Sequence, residues 1–200
     1  MQEMHLVLHG LAIKKHGTAD SVAGLTGLDP SRVHSLLRDG VGRGKVVEVQ
    51  GKYMLAPLAR VSLDADYSRH YHAERANAAF VAAYEDFESV NLQLKALITS
   101  WQSMEIGGAV VANDHSHPDY DRRIIEKLGD LHERAEIVLA RLASVVPRLQ
   151  YYSGKLLEAL ERSEDGAIEW VSDVRIDSYH TVWFELHEDL LRILGRTRVE

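Results

Sequence analysis

Gly27-Leu28-Asp29-Pro30-Ser31-Arg32-Val33-His34-Ser35-Leu36-Leu37-Arg38-Asp39-Gly40 is the stretch on which the fold turns. Asp29 can accept hydrogen bonds from the first N–H groups of a helix. Pro30 fits the first helical position, where an N–H is left unpaired in any case. The spacing predicts a helix from Pro30 to about Asp39. Val33, Leu36 and Leu37 fall on one face. Arg32, Ser35 and Arg38 fall on the other, flanked by Ser31 and His34. Gly40, Gly42 and Gly44 break the helix.

Upstream, residues 2–16 carry Leu6, Leu8, Leu11, Ala12 and Ile13 in a loose helical stripe ended by Gly17. Thr18 can cap a short second helix, Ala19 to Thr26, which turns Val22, Ala23 and Leu25 inward and stops at Gly27. Downstream, Lys45-Val46-Val47-Glu48-Val49 reads as a strand. Gln50-Gly51-Lys52 reads as a tight turn and Tyr53-Met54-Leu55 as the returning strand, with Pro57 at the exit.

Three short helices followed by a β-hairpin is the order of a winged helix-turn-helix, and the resemblance to that superfamily covers roughly residues 4–60. It implies that the third helix enters the major groove and the hairpin grips the DNA backbone. The DNA-facing candidates are Ser31, Arg32, His34, Ser35, Arg38, Arg43, Lys45 and Lys52. Winged helices also dock onto proteins, so that reading stands beside the first.

Charge divides the chain at the same place. The whole sequence of 200 residues has a net charge of −7. Residues 1–60 hold eight Lys/Arg against five Asp/Glu, and residues 61–200 hold fifteen against twenty-five. Only the first part is suited to face a polyanion. A composition of 46% hydrophobic and 26% charged residues is that of a globular protein and excludes disorder. With 0 cysteines there is no disulfide framework, no thiolate metal site and no cysteine nucleophile. The first residues lack the apolar core of a signal peptide, and no run reaches the roughly 18 apolar residues of a membrane helix. A soluble, cytoplasmic protein is the expectation.

The rest reads as an all-α bundle, giving a mainly α chain with domains at 1–62 and 63–200. One helix is expected from Asp66 to Ser103, about 55 Å long. A loop from Met104 to His117 should follow, then helices opened by Pro118 and Pro147. Asp177 or Ser178 should cap a last helix that runs through Leu194 to Gly195. That helix has apolar stripes on two sides, so His180 and His187 should face neighbours rather than bulk water. Glu188 and Asp189 are expected on exposed surface.

The bundle admits three readings. In the first, a small-molecule pocket uses Trp101, Tyr179, Trp183 and Phe184 as walls, with Asn91, Arg175 and the histidines fixing a polar group. Asn113, Asp114, His115 and Asp177 join that ligand set. In the second, His180 and His187 hold a metal with help from Asp114, His115, His117 and Asp121, although their spacing is not the one-turn pattern of known metal helices. In the third, these are satisfied core groups. The residues do not identify a cofactor. No phosphate-cradling glycine loop and no Gly-x-Ser-x-Gly elbow occurs, so an enzyme is not expected.

Three segments, Leu97–Gln102, Asn113–Asp121 and Arg175–Leu190, resemble the C-terminal accessory region of actinobacterial pyruvate phosphate dikinase-like proteins. The string Ile176-Asp177-Ser178-Tyr179-His180-Thr181-Val182-Trp183-Phe184-Glu185-Leu186-His187-Glu188 carries most of the likeness. The nucleotide-binding and phosphohistidine domains of those enzymes are absent from this chain, so the resemblance implies no phosphoryl transfer and assigns no catalytic residue. It implies an accessory or regulatory module that acts through protein contacts. A looser likeness of architecture links the chain to GntR-type regulators, which place a winged helix before a helical effector domain. The leading expectation is therefore a homodimeric transcriptional regulator that binds double-stranded operator DNA and senses a small anionic metabolite.

Overall fold

The computed structural model describes residues 3–197. Of these, the residues within 1–78 and 185–200 form one compact unit, and those within 79–184 form a second. The molecule is mainly helical.

The first unit begins with α1 (Glu3–Lys14), α2 (Ala19–Thr26) and α3 (Pro30–Gly42). α2 and α3 are bounded by local chemistry. The Thr18 side chain accepts from the Ser21 N–H, and Gly27 closes α2 in the left-handed conformation at φ 70°. The Asp29 carboxylate accepts from the N–H groups of Ser31 and Arg32, with Pro30 in the first turn of α3. Val7, Leu11, Val22, Leu25, Val33 and Leu37 are buried and form the shared core of the three helices.

The antiparallel hairpin follows as β1 (Val46–Val49) and β2 (Lys52–Leu55), in the register Val46↔Leu55 to Val49↔Lys52. Its turn needs two positive φ angles, and Gln50 (51°) and Gly51 (76°) supply them. Gly17 pairs with Tyr53 through two backbone hydrogen bonds of 3.0 and 2.8 Å, so the segment between α1 and α2 adds a third, single-residue rung beside β2. Next come α4 (Pro57–His70) and α5 (His72–Ala76), and the unit is completed by the last part of α9 (Tyr179–Leu194).

The second unit holds α6 (Ala78–Gln102), the hairpin β3 (Ser103–Ile106) and β4 (Ala109–Ala112), α7 (Pro118–Val145), α8 (Gln150–Glu164), two 3-10 turns at Pro147–Leu149 and Ile168–Val171, and the start of α9. Ser178 caps α9, its hydroxyl accepting from the Thr181 N–H at 3.3 Å.

Three expectations fail here. Gly40 and Gly42 do not break α3, which runs on to Gly42 with Gly40 buried inside it. The single helix expected over 66–103 is three helices, interrupted at Tyr71 (φ −114°, ψ 25°) and Asn77 (φ −80°, ψ 106°). Neither break has a glycine or proline. Tyr71 is buried and stacks on Tyr67 with 5.9 Å between centroids, and Arg75 donates to the carbonyls of Ile193 and Arg192, so tertiary contacts override helix propensity. The loop expected after Met104 contains a hairpin turning at Gly107 and Gly108, both with positive φ.

Gly40 tests the packing of α3 on the hairpin. A Cβ at this position would lie 2.8 Å from Val46 Cγ2, whereas at Gly42 it would meet nothing within 4 Å. In an open helix, alanine is favoured over glycine by about 1 kcal/mol; overpacking reverses the sign at a cost of roughly 1–3 kcal/mol. Gly40→Ala is expected to lower the urea midpoint and Gly42→Ala to leave it unchanged or raise it. A Gly40→Ala protein as stable as the parent would contradict this packing.

Candidate functional site

All eight DNA-facing candidates, Ser31, Arg32, His34, Ser35, Arg38, Arg43, Lys45 and Lys52, are exposed, while Val33, Leu36 and Leu37 on the opposite face of α3 are buried. Two of the cations already have partners. Arg32 reaches Glu3 of α1 at 2.6 Å, and Arg43 reaches Asp39 one turn earlier at 2.9 Å. For Arg38, Lys45 and Lys52 no ion pair is formed among the described residues.

The ligand candidates of the bundle separate into several places. Trp101, Asn113 and His115 come together. The Asn113 amide donates to the Trp101 carbonyl at 3.0 Å and to Asp121 Oδ1 at 2.8 Å. His115 lies 4.5 Å from the Trp101 ring, centroid to centroid, and its Nδ1 faces Asp121 Oδ2 at 3.0 Å. The 61° φ of His115 bends the chain so that the ring turns back onto α7. Asp121 is buried, and the pairing fixes the orientation of the imidazole. His115 and Asp121 line a cleft of about 410 Å³ together with Arg122, Ile125 and residues of the α8 end. A carboxylate-held imidazole beside an aromatic wall can bind a polar group.

Asn91, Tyr179 and Trp183 instead belong to the packed interior of the second unit. Trp183 lies on Phe87 at 4.9 Å and nearly parallel to Tyr179 at 6.2 Å, and its indole N–H donates to Asn91 Oδ1 at 3.0 Å. The Tyr179 hydroxyl is 3.2 Å from His132 Nδ1, and burial pushes this phenol far above its ordinary range. Phe184 is exposed.

Arg175 is exposed and forked onto Asp173 at 2.6 Å and 3.0 Å; this pairing holds the Asp173 carboxyl down to about 2. Asp114 is exposed, with its carboxyl lowered by hydrogen bonds from Ser116. Asp177 is half-buried, 3.8 Å from Lys155. His180 is half-buried and His187 is buried, so neither ring stands in open solvent. They fall in different units, as His187 lies in the part of α9 that completes the first. His117 is exposed.

The first unit contains a cluster that the sequence reading passed over. His9, one turn after His5 on α1, is fully buried. Its Nδ1 is 2.8 Å from the Tyr67 hydroxyl and its Nε2 is 2.9 Å from Asp189 Oδ1. Asp189 is therefore not on exposed surface as expected; it is 0% exposed, because the imidazole needs it as a partner. His5 stacks on His70 of α4 at 3.7 Å, with Asp66 one helical turn before His70. One ligand atom from each of His5, Asp66 and His70 lies within 4.8 Å of the other two. The signal was present in the sequence as two four-residue spacings, His5–His9 and Asp66–His70.

No protein family, no curated protein and no solved structure matches the chain.

His132 gives the second unit a pH dependence. It is buried on α7, and desolvation lowers its pKa from 6.5 against the opposing pull of Glu136 and Glu164. Folding thus favours the neutral ring. Below pH 6.5 the unfolded chain binds the proton first, so stability falls as pH drops from about 7 toward the folded-state value. Urea midpoints of the parent should decline over this range, and those of His132→Gln should decline less. Equal slopes would contradict the assignment.

Proposed function

We propose that the N-terminal helices and hairpin act as a winged helix that binds double-stranded operator DNA, and that the helical body serves dimerisation and the sensing of a small anionic metabolite. One observation carries this reading. α3 buries Val33, Leu36 and Leu37 while Ser31, Arg32, His34, Ser35 and Arg38 stand exposed, and a hairpin bearing Lys52 follows directly. A groove-reading helix needs this division between core face and free polar face. The Gly17–Tyr53 rung beside the hairpin adds support, because it ties the wing to the turn before α2. Among the described residues no helix is long and apolar enough to cross a membrane. For the sensing role, the cleft beside His115 and Asp121 is the best-formed part of the expected ligand set.

A second reading, an accessory module for enzymes that use phosphoenolpyruvate, draws on the ion pairs Arg32–Glu3 and Arg43–Asp39. They neutralise part of the charge that a DNA-reading face needs.

The test is fluorescence anisotropy with DNA fragments from upstream of the protein's own gene, at about 50 and 200 mM salt. Binding should weaken steeply with salt. Each of Arg38→Ala, Lys45→Ala and Lys52→Ala should reduce the log–log slope by about 1 and weaken binding across sequences. No binding at low salt, together with co-purification of a dikinase-like enzyme, would replace the first reading by the second.

A further inference from the structure

α1 carries two histidines one turn apart in opposite chemical situations. His9 has a partner on each ring nitrogen. His5 is 6% exposed, and its Nε2 is buried with no hydrogen-bond partner. An unpartnered polar atom in that position costs stability and calls for an explanation. His5 lines a small cleft of about 80 Å³ between α1 and α4, with Asp66 and His70 on the same wall. His70 and Asp66 are half-buried and open to it.

We propose that His5, Asp66 and His70 bind one exchangeable divalent transition-metal ion of the zinc class, clamping α1 to α4 within the first unit. Two imidazole nitrogens and a carboxylate oxygen suit zinc, cobalt or nickel, and the absence of cysteine removes competition from softer ions. Ligand atoms about 2.1 Å from one ion are about 3.4 Å apart in tetrahedral geometry. The three atoms are within 4.8 Å of one another, so side-chain shifts of about 1 Å bring them onto one ion. A metal needs the neutral imidazole. Burial, with His70, His9 and Arg69 nearby, keeps His5 in that form down to about 3 even though Asp66 pulls the other way.

The neighbours argue for exchange rather than permanent retention. Arg69 donates to Asp66 Oδ1 at 2.9 Å, which leaves the second carboxylate oxygen for the ion. Lys45 also lines the cleft, so two cations oppose the incoming charge. Three protein ligands leave at least one position for water or an anion. The inference is independent of DNA binding: it concerns the α1–α4 clamp, and its readouts contain no DNA.

The experiment uses full-length, tag-free protein stripped with a chelator and titrated calorimetrically with Zn²⁺ at about pH 7.5. One equivalent per chain is expected, with a rise in melting temperature as the ion binds the folded state. Asp66→Asn and His70→Ala should each weaken Zn²⁺ binding by more than about 10-fold, the range lost when only outer-shell partners are removed. His16→Ala, an exposed control, should leave it unchanged. Ring-nitrogen NMR of the parent provides a second readout that does not depend on how the variants fold: Zn²⁺ should shift His5 and His70. No Zn²⁺ binding, affinity unchanged in both ligand variants, or shifts confined to other histidines would each overturn the proposal.

Discussion

The first unit depends on one buried imidazole. His9 sits between the Tyr67 hydroxyl and the Asp189 carboxylate, joining α1, α4 and α9 across 58 and 180 residues of sequence. Burial holds the Tyr67 phenol well above its ordinary range, so it keeps its proton and donates to Nδ1. Nε2 must then carry the other proton and donate it to Asp189, which fixes the tautomer. Once that chain of bonds is in place, α1 has little freedom to rotate. His5, one turn earlier, is carried to the cleft by the same constraint, as is the apolar face that packs on α2 and α3.

Further contacts follow from the same arrangement. Lys14 at the end of α1 reaches Glu185 at 2.7 Å, both side chains well covered. Arg192, one turn after Glu188, bonds to it at 2.7 Å and to Asp64 at 3.0 Å. The Arg192–Asp64 pair, whose carboxylate is exposed, contributes little. The fully buried His9–Asp189 pair is different, because removing either partner leaves a desolvated polar group with nothing to bond.

Much of the local structure was legible. The Thr18 and Asp29 caps, the Pro30 start and the Gln50-Gly51 turn are short-range chemistry, and the chain obeys it. The Ser178 cap was legible for the same reason. What escaped was set by contacts distant in sequence. Nothing between Asp66 and Ser103 announces a break, because the interruptions at Tyr71 and Asn77 come from buried aromatic packing and the Arg75 bonds to α9. The β3–β4 hairpin was marked by Gly107-Gly108, yet the flanking apolar residues are too few to show a period. Of the expected ligand set, Trp101, Asn113 and His115 do meet, while Asn91, Tyr179 and Trp183 serve the core. The last helix drew attention to His180 and His187, but the better-placed histidines sit on α1, where an apolar run concealed the one-turn spacing of His5 and His9.

A double-mutant cycle between His9→Leu and Asp189→Leu probes the central interaction most directly. Each single substitution strands a buried polar partner and should cost about 3–5 kcal/mol in urea unfolding. The double variant leaves no orphan between them and should cost far less than the sum of the two, with a coupling of about 2 kcal/mol or more. Additivity within about 0.5 kcal/mol would show that the imidazole does not bind α9 to α1.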